Sequence, residues 1–140
     1  MRKNIMDFIT WQEKYSVKIP SIDAQHKQLV AIINELYSSM KTGKSKEQLG
    51  KTLADLVAYT KTHFSYEEAL LTRAGYTELK EHKQQHEAFV GKITATCKQY
   101  QDGKLFMSID ICNFLQNWLI QHIQGTDQKY TQTLLEKGIK

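Results

Sequence analysis

His26, His63, His82, His86 and His122 are the five histidines of the 140-residue chain, and two of them stand four residues from a second donor, as His63 with Glu67 and His82 with His86. Residues four apart on an α-helix lie one turn apart on one face, with Cβ atoms about 5–6 Å from each other. Each pair can therefore direct two donor atoms at one point. A lone His-x-x-x-Glu arises easily by chance, whereas His-x-x-x-His is a natural helical metal clamp. A single histidine beside an apolar stripe is ordinarily a satisfied core residue. Here all five fall on or next to such a stripe: His26 between Ile22 and Val30, His86 before Phe89 and Val90, His122 after Trp118 and Leu119. Burying five imidazoles without partners is costly, and a shared metal centre removes that cost for all of them together.

Five nitrogens exceed the needs of one tetrahedral zinc. Five imidazoles with two carboxylates suit two metals bridged by the carboxylates, with one coordination position left open. Ligand type leaves iron, zinc, copper and nickel all admissible. No Glu stands three residues before any histidine, unlike the Glu-x-x-His pairs of carboxylate-rich di-iron bundles, and His-Glu-x-x-His is missing too.

The elements that must position these donors are helices. One proline and seven glycines leave long stretches uninterrupted. Residues 1–20 lack a sustained period and read as an extended arm, pinned by Trp11, Tyr15, Val17 and Ile19. Ser21 is the expected N-cap of a first helix to about Met40, with Ile22, Leu29, Val30, Ile33, Leu36 and Tyr37 at helical spacing. Ser45 caps a second helix over about 46–73, ended by Gly75; Thr77 opens a third, ended by Asp102-Gly103. A fourth covers about 105–123. Gly125 then interrupts, and Thr126 caps a short terminal helix over about 127–137. Four long amphipathic helices with short connections predict an all-α, up-down-up-down antiparallel four-helix bundle with an extended N-terminal arm and a short C-terminal helix. The expected organisation is one domain over 1–140, with the bundle over 21–137.

Composition agrees: 41% of residues are hydrophobic, 24% charged and 10% aromatic. The net charge of +4 is spread over scattered lysines, and Arg2 and Arg73 are the only arginines, which argues against nucleic-acid binding. Cys97 and Cys112 form no Cys-x-x-Cys pair and read as small buried hydrophobes. The apolar run after Arg2 and Lys3 is broken by Asp7, too short and polar for a signal peptide, and no window approaches a membrane span. The expected location is the cytoplasm, without a membrane anchor.

The series His26, His63-x-x-x-Glu67, His82-x-x-x-His86, His122-x-x-x-x-Asp127 resembles the hemerythrin family. The surrounding Ile22-Asp23-x-Gln25-His26-Lys27, His63-Phe64-x-x-Glu67-Glu68, Gly75-Tyr76 and Trp118-Leu119-x-x-His122-Ile123 are similar to its bacterial branch, the bacteriohemerythrins. The likeness runs from about Trp11 to Tyr130 and fills every ligand position. It implies two non-haem iron ions with an oxo or hydroxo bridge. His82, His86 and His122 would hold one iron and His26 and His63 the other, with Glu67 and Asp127 bridging. It also implies reversible dioxygen binding at the iron with fewer histidines, for transport, storage or delivery.

Such a pocket must be dry, because water and protons promote oxidation of the site. Ile22, Val30, Phe64, Trp118, Leu119 and Ile123 are the candidates for its wall, and for the first three plain core packing is an equal reading. Asp23, one turn before His26, either orients that ring or caps the helix. Glu68 is rotated about 100° from Glu67, toward the surface or the rear of a ligand. Tyr59 and Tyr66 read as core packing. With every histidine committed, no spare acid–base residue points to an enzyme. The competing classes are an oxygen or redox sensor acting through a partner, and a di-iron oxidase, peroxidase or iron-handling enzyme. Any protein that receives the oxygen stays unidentified at this level.

Overall fold

The structure is a computed structural model and describes residues 8–140; the first seven residues of the expected arm lie outside it. Four long helices form an antiparallel four-helix bundle: α1 (Pro20–Lys41), α2 (Lys46–Ala74), α3 (Leu79–Gln101) and α4 (Ile109–Gln121). A π-turn (His122–Thr126), a 3₁₀ turn (Asp127–Tyr130) and α5 (Thr131–Glu136) follow. The antiparallel order shows in side-chain pairs between opposite helix ends. The Tyr100 hydroxyl near the end of α3 donates to the Lys46 carbonyl at the start of α2 (3.1 Å), and His63 in the second half of α2 meets Gln25 in the first half of α1.

Most of the expected boundaries hold and four shift. Ser45 caps α2, accepting from the Gln48 N–H at 3.1 Å, and Gly75 ends that helix in the left-handed conformation at φ 69°. Ser21 does not cap α1. Ile19 takes that place because Pro20 suits the first helical position, with φ preset and no N–H to satisfy, while the Ser21 hydroxyl donates to the Lys140 carbonyl (2.9 Å). Thr77 does not open α3, which begins two residues later at Leu79, after a turn that buries Tyr76. Residues 102–108 are loop, so α4 starts at Ile109 rather than near 105. Gly125 does not interrupt the chain and Thr126 caps nothing. Both stay helical within the π-turn, which hands the chain directly to Asp127.

The arm is tied down as expected by Tyr15, Val17 and Ile19, all buried, with Ile9 added and Trp11 only partly covered. Asn34 pairs with both the N–H and the carbonyl of Ile9 (2.7 and 2.8 Å). Asp23 accepts from the Ser16 hydroxyl (2.6 Å) and the Val17 N–H (2.8 Å). Its carboxylate therefore neither orients His26 nor caps α1; it fastens the arm to the bundle. Cys97 and Cys112 are free and buried. No helix among the described residues is long and apolar enough to cross a membrane.

The interior divides into two apolar clusters along the bundle. One collects Leu29, Val30, Leu56, Phe64, Phe89, Leu115, Leu119 and Ile123; the other collects Val17, Ile19, Ile22, Leu70, Leu71, Tyr76, Tyr130 and Leu134. α1, α2, α3 and the continuation of α4 through the π-turn each cross the boundary between them, and each does so where its histidines stand. His26 lies between Ile22 and Val30, His63 and Glu67 between Thr60 and Leu70, His82 and His86 between Tyr76 and Phe89, and His122 and Asp127 between Leu119 and Tyr130.

Candidate metal centre

The layer between the clusters holds His26, His63, Glu67, His82, His86, His122 and Asp127, all buried. Two donor groups can each hold a metal ion: Glu67, His82, His86, His122 and Asp127, and separately His26, His63 and Glu67. Within each group the donor atoms lie within 4.8 Å of one another. All seven residues expected to ligate metal are thus brought together.

Asp127 reaches the layer through local backbone geometry. Five residues along a regular α-helix turn a side chain about 140° away from its starting face. The π-turn removes most of that offset: its i→i+5 bond runs from the Asp127 N–H to the His122 carbonyl. His122 and Asp127 therefore face the same way, with His122 Nε2 3.1 Å from Asp127 Oδ1.

Each carboxylate turns its two oxygens to different histidines. Glu67 Oε1 lies 2.9 Å from His82 Nε2 and 3.0 Å from His86 Nε2, while Oε2 is 3.8 Å from both His26 Nε2 and His63 Nε2. Asp127 Oδ1 lies 3.1 Å from His82 and His122, while Oδ2 is 3.2 Å from His26. His86 Nε2 and His122 Nε2 are 3.2 Å apart. Despite these short distances, His26 Nε2 and both Asp127 oxygens have no hydrogen-bond partner among the described residues. Buried groups of this kind are rarely orphaned. The donors converge on common points between them, the arrangement a cation satisfies.

Three rings are held from behind. His63 Nδ1 meets Gln25 Oε1 at 2.7 Å, His86 Nδ1 meets Glu68 Oε2 at 2.7 Å, and His122 Nδ1 meets Gln85 Oε1 at 3.0 Å. Each acceptor fixes the proton on Nδ1 and leaves the Nε2 lone pair for a metal. Thr126 donates to the same Gln85 oxygen at 2.8 Å. Gln25, Gln85 and Thr126 carry no recognisable signal as ring supports, and Glu68 is half-buried beside the ring it holds. Tyr130, fully buried, donates its phenol to Glu67 Oε2 at 2.7 Å. Burial and the Glu67 and Asp127 charges push that phenol well above its ordinary range, so it remains a donor. Tyr130→Phe should cost about 1–3 kcal/mol, as expected for a buried hydrogen bond to a charged group, read from denaturant midpoints of the metal-free protein.

The carboxylates charge the layer. Burial alone disfavours protonated His26 and His82, but the Asp127 and Glu67 carboxylates beside them outweigh it and raise both rings from 6.5 to about 9. At His63 burial prevails and lowers the ring to about 4. Glu67 stays well below the usual carboxylate range: burial opposes its charge, and the surrounding His26, His82 and His86 rings overcome that.

The six expected pocket residues divide. Val30, Phe64, Leu119 and Ile123 belong to one apolar cluster and Trp118 packs against it, whereas Ile22 belongs to the other, across the donor layer. Phe64 stacks on His86 with centroids 3.6 Å apart, and Trp118 on His122 at 4.4 Å. Tyr66 is partly buried against the cluster of Ile22, and Tyr59 against the cluster of Phe64.

Fold and site together define a four-helix-bundle protein with a buried donor set for two cations. The hemerythrin HHE cation binding domain matches residues 17–134, and the chain belongs to the hemerythrin family. Bacteriohemerythrin of Stenotrophomonas maltophilia is 32% identical over 125 residues, 89% of this chain and 80% of that protein. Myohemerythrin of Riftia pachyptila is 28% identical over 124 residues, 89% and 92% of the two chains. The crystal structure of a wild-type hemerythrin superimposes with a TM-score of 0.87 at 29% identity, covering 91% of this chain and 98% of that one.

Proposed function

We propose that the chain binds dioxygen reversibly at two non-haem iron ions, for oxygen transport, storage or delivery. His82, His86 and His122 would hold one iron and His26 and His63 the other, with Glu67 and Asp127 shared between them. The observation that carries this reading is the division of each carboxylate between the two histidine sets, oxygen by oxygen. Membership of a cation-binding family supports it. The iron pair supplies the electrons for reversible oxygen binding, and the protein supplies everything else. Gln25, Glu68 and Gln85 keep three rings in the ligating tautomer. The smaller histidine set offers fewer donors, which would leave its ion able to take up a small ligand. Val30, Phe64, Trp118, Leu119 and Ile123 exclude water on one side of the layer, and Ile22 closes the other. The buried layer holds no histidine outside the ligand set, which favours binding over catalysis.

Purified protein should contain two irons per chain and show a visible band that disappears under argon and returns in air. Irreversible bleaching with peroxide release would identify an oxidase instead, and a content of zinc alone would end the iron assignment. Leu119→Ala should keep both irons and hasten autoxidation severalfold, read as decay of the oxygenated band. An unchanged decay rate would remove Leu119 from the barrier against water.

A further inference from the structure

Thr60 is 1% exposed, and its hydroxyl has no hydrogen-bond partner among the described residues. A helical threonine normally avoids this by donating to the carbonyl four residues back. Thr52, Thr62, Thr72 and Thr96 all do so, at 2.8–3.2 Å, and none of them is buried. Thr60, the buried one, makes no such bond to Leu56. An unsatisfied buried hydroxyl is destabilising where valine would fit the same space, so it marks a position that serves something other than packing.

Its place along α2 indicates what. Thr60, His63 and Glu67 follow one another at one-turn intervals on a single face. Glu67 and Asp127 cover the donor layer from the Glu67 side of His63. Thr60 stands on the opposite side, the side of the apolar cluster containing its face neighbours Leu56 and Phe64. Of the buried α2 residues on that side, Leu49, Leu53, Leu56, Thr60 and Phe64, it alone is polar.

We propose that the Thr60 hydroxyl donates a hydrogen bond to the small ligand held beside His26 and His63, selecting diatomic or linear ligands that carry an acceptor lone pair at their far end. This rests on the two-metal reading above. In an otherwise apolar pocket, one such donor separates ligands that accumulate negative charge from neutral ones of equal size.

The test uses azide as probe with the diferric protein, by spectral titration, together with thermal midpoints of the metal-free chain. Thr60→Val should weaken azide binding about ten- to a hundredfold, the size of one net hydrogen bond to a charged group. Thr60→Ser should bind azide within about twofold of wild type, because it keeps the donor. Metal-free Thr60→Val should melt at or above the wild-type temperature, since it removes an orphaned hydroxyl. Two results overturn the inference alone: azide affinity unmoved in Thr60→Val while wild type holds two irons, or a lower midpoint for the metal-free variant, which would show the hydroxyl engaged within the protein. Wild type without an iron pair overturns the two-metal reading first, and this inference with it.

Discussion

Glu67→Gln is expected to reduce the iron content from two per chain to less than one while leaving the helical content unchanged. The side chain keeps its volume, so the apolar clusters on either side stay filled. What it loses is one of two equivalent oxygens: Oε1 faces His82 and His86, and Oε2 faces His26 and His63. An amide offers one oxygen and one N–H₂, and the N–H₂ repels a cation. Whichever way it turns, one of the two proposed metals would lose its bridging ligand and meet two protons instead. The loss in affinity should exceed the roughly 10–100-fold that follows from altering groups behind a ligand. Asp55→Asn is the control. Its pair with Lys51 (3.3 Å) joins side chains 58% and 76% exposed, and such a pair contributes about 1 kcal/mol at most. Metal analysis of both variants decides the matter: two irons retained in Glu67→Gln would show that the carboxylate does not bridge.

Removing the metal should give the protein a stability maximum near pH 6.5 that the iron-loaded form lacks. The sign follows from which state binds more protons. His26 and His82 are raised from 6.5 to about 9 in the folded chain, so between those values the folded state holds protons that the unfolded state has released. Their contribution is complete below 6.5 and is lost as pH rises to about 9, by up to about 1.4 kcal/mol per pH unit for each group. His63 runs the other way. Its folded value of about 4 means that its contribution is complete above 6.5 and is lost as pH falls toward 4. Glu67 and Asp127, both held below their ordinary range by the surrounding histidines against the cost of burial, add to that acid loss. Iron bound as proposed would displace the protons on His26 and His82, so its stabilising effect should grow over the interval in which the metal-free protein weakens. Thermal midpoints from pH 5 to 9, with and without ferrous iron, test this. An alkaline decline of equal slope in both forms would mean that the iron does not bind where those protons sit.

Much of this protein is legible along the chain because helical periodicity carries it. His63-x-x-x-Glu67 and His82-x-x-x-His86 each span one turn, so their convergence needs only that the helix form. The bundle follows from four amphipathic stretches with short connections, and the helix boundaries depart from local preference where packing competes with it. Thr77 has the right chemistry for a cap, yet burying Tyr76 holds the chain in a turn until Leu79. Gly125 has the right chemistry for a break. The π-turn keeps it helical because ending the helix there would forfeit the face that Asp127 shares with His122.

The ring supports show the limit most clearly. Gln25 neighbours His26 in sequence but holds His63; Gln85 neighbours His86 but holds His122; Glu68 neighbours Glu67 but holds His86. A residue next to a ligand is turned about 100° from it, to the edge of the buried face, where the adjacent helix passes. Which ring it meets is a matter of helix pairing and register, and spacing within one helix has no information about that. Tyr130 on Glu67 and Asp23 on the arm are the same case.

By itself, the sequence determined the bundle, the donor types and the two i, i+4 pairs, because those depend on interactions within single helices. Only the tertiary structure decided that all seven donors share one layer between two apolar clusters, that each carboxylate divides its oxygens between two histidine sets, and that Ile22 and Val30 lie on opposite sides of that layer. Those are relations among four helices, set by how apolar faces are buried against each other.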